Sequence, residues 1–218
     1  MLPIDWNFVL SIITVLVAIF ALIQTHKQIQ ISNKQHLFDK RVETNLIAVG
    51  LFELCKEHKS LIDNMAEEKD LSAIDSVFTF LTNNSYLEKC AAVVKGNDNT
   101  EKKAFLTMME NLKCVAAKIR YLFKKEAAEL LSDFVLHYQE LLMEMYKYNI
   151  LMTNISDYNI EQIASYGKRA KGQDELYADF GEKKYRDNLR KAAIILQQDY
   201  EKLKKENIKE QIEKQIKF

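Results

Sequence analysis

Glycine and proline are nearly missing from this chain: five Gly and a single Pro, at position 3, among 218 residues. Tight turns draw on both, so the scarcity argues against a strand-rich fold and for long helices. Cysteine is scarce too. Cys55, Cys90 and Cys114 are odd in number and far apart, which excludes a readable disulfide framework or CxxC pair. Each falls in a helical, partly apolar pattern, where a reduced buried thiol packs as a small hydrophobe. That usage suits a reducing interior. Charge of one sign is also lacking, because the formal net charge is zero. From Gly167 onward 14 Lys+Arg stand against 10 Asp+Glu, a mild bias far from the dense basic stripe of a nucleic-acid binder. No nucleic-acid partner is expected.

Catalytic signatures are missing as well. So few Gly, none closely spaced before a helix, leave no phosphate-cradling loop, and HExxH, GxSxG and the kinase set do not occur. The sequence therefore predicts no enzyme and no cofactor. Glu182 and Lys184 form an E-x-K that reads as solvated charge. Glu126, Glu129, Asp133, His137, Glu140 and Glu144 recur at helical spacing and stack on one face. Asp133, His137 and Glu140 are the metal candidates within it, but a dinuclear bundle site needs E-x-x-H on two helices, and the chain has none. The stripe reads as a solvated acidic face. Cys55 and His58 are half a zinc site at most. The tyrosines Tyr138, Tyr146, Tyr148, Tyr158, Tyr166, Tyr177, Tyr185 and Tyr200 read as bundle packing. Lys168, Arg169 and Lys171 read as a solvated basic loop.

What is present, and abundant, is apolar helix. From Phe8 to Ile23 no charge occurs, and Ser11 and Thr14 are the only polar residues. Extended to residues 6–24, the run makes a helix of roughly 28 Å, close to the hydrocarbon thickness of a bilayer. Trp6 and Phe8 serve as the apolar anchor at one interface, and Lys27 snorkels at the other. Asp5 and the absence of a basic region ahead of the run argue against a secretory signal. Lys27, Lys34, Lys40 and Arg41 follow the span, so the positive-inside rule predicts residues 1–5 outside and the rest in the cytoplasm, anchored in the inner membrane. Within the run Ser11, Thr14, Ala18 and Ala21 form a heptad-like seam of small or polar residues, continued by Thr25 and Gln28. Such seams let membrane helices approach each other, which predicts a homo-oligomer through the span and neck.

A polar helical neck is predicted over 25–36. A helical bundle of long antiparallel helices follows over 37–166. In its first helix Phe38, Val42, Leu46, Val49 and Phe52 keep helical spacing and predict the core-facing stripe. "DLSAIDSVFTFL" and "SYLEKCAAVVKG" predict two shorter helices, the second capped by Ser85 and stopped by Gly96. Residues 101–152 read as one long helix or as two with a break near Lys124–Glu126. A Gly-containing loop is predicted over 167–182 and a charged helix over 183–218. The fold class predicted is all-α.

Two stretches, "HLFDKRVETNLIAVGLFEL" and "IRYLFKKEAAELLSDFVLHYQELL", resemble a broad group of uncharacterised bacterial proteins with one N-terminal membrane helix and a helical cytoplasmic part. Phe38, Asp39, Lys40 and Arg41 match the Phe-Asp-Lys-Arg-like stretch that opens that group's first soluble helix. Leu122 and Phe123 match a Phe-Leu-Phe-like stretch whose first position is Tyr121 here. Thr44-Asn45 stand where the group often has Ile/Val-Tyr. The resemblance implies a bacterial or phage origin and the same architecture, and it implies no activity. Read from the residues, Phe38 packs, Asp39, Lys40 and Arg41 sit at a corner of the bundle, and Arg41 reaches a carboxylate such as Asp133. The expectation is a membrane-tethered interaction or scaffold protein with lipid and an unidentified protein as partners. The alternatives are a regulated membrane effector of an anti-phage system and, third, an unrecognised enzyme or metal-binding bundle.

Overall fold

The computed structural model describes residues 6–67, 71, 73–94, 99–124, 126–167 and 171–216, and among them no strand occurs. The chain is all-helical. It begins with α1, Trp6–Glu57, a single helix of 52 residues. Then come α2 (Lys59–Ala66), α3 (Ile74–Leu81), a 3-10 helix (Glu88–Val94), α4 (Asn99–Leu122) and α5 (Glu126–Tyr166). The short α6 (Gln173–Asp179), α7 (Glu182–Lys205) and α8 (Ile208–Ile216) complete the order. The chain divides into two compact units, one up to Val42 and one from Glu43 onward, so the division falls inside α1.

In the first unit α1 has no interior. Apart from half-buried Val9, Phe38, Arg41 and Val42, its described residues are exposed. Its hydroxyls bond to their own helix: Ser11 Oγ donates to Asn7 O, Thr14 Oγ1 to Leu10 O and Thr25 Oγ1 to Ala21 O, each at 2.8 Å. These three hydroxyls are thus satisfied within the helix.

The second unit has one core, and α5 is its axis, with α3, α4, α7 and α8 packed against it. That position explains why α5 buries side chains on several faces, among them Phe134, Val135, Tyr138, Leu141, Leu142 and Met145. The open question over 101–152 resolves as two helices. Phe123 is buried at the turn, and Gln215 of α8 satisfies the backbone there, accepting from Lys124 N at 2.7 Å and donating to Lys124 O at 3.3 Å. A helix end leaves such groups without intrahelical partners, and a distant side chain supplies them here. Antiparallel pairing of α4 with α5 follows from Arg120 Nη2 to Asp133 Oδ1 at 2.6 Å and Ser132 Oγ donating to Ala116 O at 2.9 Å. Glu206 and Asn207 interrupt the C-terminal helical stretch between α7 and α8, with Asn207 at φ 50°. α6 lies within the Gly-containing stretch over 167–182.

Several local expectations are corrected. The core stripe of α1 is not Leu46, which is 65% exposed; Thr44, Asn45, Ala48, Leu51, Leu54 and Cys55 are buried instead. Both stripes have helical spacing, and the true one was disguised by its two polar members and one Ala. Ser85 does not cap the segment that follows it. Asn84 does so, its Oδ1 accepting from the N–H groups of Tyr86 at 3.1 Å and Leu87 at 2.8 Å, because an Asx turn suits the tight 3-10 geometry. Gly96 lies outside the described residues. Cys55 and Cys90 are buried, but Cys114 is exposed, on the outer face of α4.

Candidate functional site

The predicted acidic stripe does not converge. Asp133 pairs with Arg120, which also holds Glu129 at 3.1 Å. One helical turn further, His137 Nδ1 meets Asp199 Oδ2 of α7, whose other oxygen is 3.7 Å from Lys202 Nζ. Glu140 is exposed. Glu129 and Asp133 are therefore held from α4 and His137 from α7, so the stripe is divided between helices, while Glu144 gives one oxygen to Lys147 of its own helix and keeps the other buried without a partner among the described residues. Among the described residues no three His, Cys, Asp or Glu side chains gather as metal ligands. Cys55 and His58 separate likewise. Burial pushes the Cys55 thiol up to about 12, while the His58 ring stacks on Phe80 with centroids 5.3 Å apart.

Glu182 is the largest departure from expectation. Read as solvated charge, it is 1% exposed. Its position in the first turn of α7, where the helix dipole favours an anion, faces inward. Tyr148 Oη donates to its Oε1 at 2.7 Å, and Arg186 grips both oxygens, Nε to Oε1 at 2.9 Å and Nη2 to Oε2 at 2.7 Å. Burial, followed by the bond to Glu182, raises the Tyr148 phenol well above its usual range. A carboxylate held at both oxygens with a protonated phenol offers neither a base nor a nucleophile. The knot is a clamp between α5 and α7. The pair Glu182 and Arg186 at i, i+4 was visible in the sequence; burial of the acid was not.

Tyr138, Tyr146, Tyr148 and Tyr200 are buried, and Tyr166 is exposed. Tyr138 is deepest, its hydroxyl donating to Leu81 O at 2.7 Å. Lys168 and Arg169 lie outside the described residues, and Lys171 is paired with Asp179 and Glu175. Of the family-like stretch, Phe38 and Arg41 are half-buried and Asp39 and Lys40 exposed. Leu122 is half-buried and Phe123 buried, whereas Tyr121 is exposed. Asp133, expected to answer Arg41, is held by Arg120 within its own unit.

The anchor residues Trp6, Phe8 and Lys27 are exposed, as are Ser11, Thr14, Ala18, Ala21, Thr25 and Gln28 of the seam. Among the described residues one helix is long and apolar enough to cross a membrane, and none of its apolar window is buried. Further along, α5 leaves Ile160, Ile163 and Tyr166 exposed near its C-terminal end. No family model, no curated protein and no solved structure matches this chain, so the reading of these surfaces rests on its own residues.

Proposed function

We propose that the chain is a membrane-tethered interaction protein: residues 6–24 cross the inner membrane, and the unit from Glu43 onward stands in the cytoplasm as a scaffold for another protein. One observation carries the reading. Twelve large apolar side chains from Trp6 to Ile23 are exposed, an apolar area that water does not tolerate on a monomer. Internal bonding of Ser11, Thr14 and Thr25 supports it, because backbone and side-chain polar groups facing hydrocarbon need partners within the helix. Lys27, Lys34, Lys40 and Arg41 after the span support the orientation. The seam from Ser11 to Gln28 is the face on which a second copy would meet the first.

Exposed Cys114 supplies the experiment. The full chain should stay in the membrane pellet after alkaline washing. A membrane-impermeant maleimide should leave Cys114 unlabelled in intact spheroplasts and label it after permeabilisation. Release into the wash would defeat the anchor, and labelling of intact spheroplasts would reverse the orientation. For the seam, disulfide cross-linking of a Gln28→Cys variant should fall several-fold when Ala18 and Ala21 are both replaced by Leu.

A further inference from the structure

We draw no further inference here: the strongest candidate, the open groove between α5 and α6 beside the exposed side chains of Ile160, Ile163 and Tyr166, is an unpartnered apolar face, and nothing in the structure shows what covers it.

Discussion

Leu16 and Leu51 lie on the same helix, yet the first is 60% exposed and the second is fully buried. The contrast extends to polar groups. Before Val42 the hydroxyls of Ser11, Thr14 and Thr25 turn back on their own helix. Beyond Glu43 polar groups reach across elements: Tyr138 to Leu81, Ser132 to Ala116, Gln197 Nε2 to Asp63 Oδ1 at 2.7 Å. In the first region those hydroxyls are bonded within the helix and the apolar side chains are exposed. The second buries its apolar side chains in one core and bonds across elements. An exposed apolar helix whose hydroxyls bond internally is what the proposed membrane span requires. The two should therefore respond to opposite kinds of damage.

The largest effect is expected at the clamp. Arg186→Ala leaves the Glu182 carboxylate buried with Tyr148 as its remaining bond, and stranding a buried charge costs about 3–5 kcal/mol. Urea unfolding should show the loss, and a double Glu182→Leu, Arg186→Ala variant should recover most of it. Membrane association should be unchanged in both. The converse variant is Leu16→Arg. An Arg at the centre of a membrane helix costs about 3 kcal/mol of insertion, so the pelleted fraction should drop while the melting of the second unit stays where it was. If Leu16→Arg lowered that melting point as much as Arg186→Ala does, the two regions would not be the separate cases described.

In the first region the sequence made a long apolar helix legible, and the structure shows one continuous helix with that run exposed. The second was legible as to class and less so as to detail. The scarcity of Gly and Pro predicted helices, and in α4 Phe105, Met109, Leu112 and Ile119 are buried at helical spacing. Helical spacing cannot tell which of two overlapping stripes is buried, and on α1 the stripe with Leu46 looked better than the one with Thr44 and Asn45. Nor can it see distant help at a chain break. The turn after Leu122 has no Gly or Pro, and what closes it is Gln215, far along the chain. Glu182 was misread for the same reason: its burial depends on Tyr148 of another helix.

Alkaline pH separates the regions more gently. An ordinary thiol ionises near 9.0, and burial moves Cys55 up to about 12. Between those values the unfolded chain releases a proton that the folded chain keeps, so stability is full below pH 9 and falls as pH rises, by about 1.4 kcal/mol per pH unit for this thiol. Cys90 is raised to about 12 by the same cause. Urea titrations at pH 8 and 10 should show the fall, and Cys55→Ala should flatten part of it. The first region holds no cysteine, so retention in the membrane pellet at pH 10 should not change.

The smallest effect sought is at Asn84, where the second unit starts its 3-10 helix with an Asx turn. Asn84→Ala removes the Oδ1 that accepts from Tyr86 N and Leu87 N. Capping losses of this kind cost about 1 kcal/mol, a shift of a few degrees in a chain of this size. Ser85→Ala is the matched control: its residue is exposed, and its loss should move the melting point by less than the error of the measurement. Equal losses in the two variants would return the cap to Ser85, and with it the expectation that pattern alone locates such ends. A loss confined to Asn84→Ala would show that in the second unit even a single turn is set by side chains meeting backbone, whereas in the span the equivalent bonds of Ser11 and Thr14 run along one helix and set no turn.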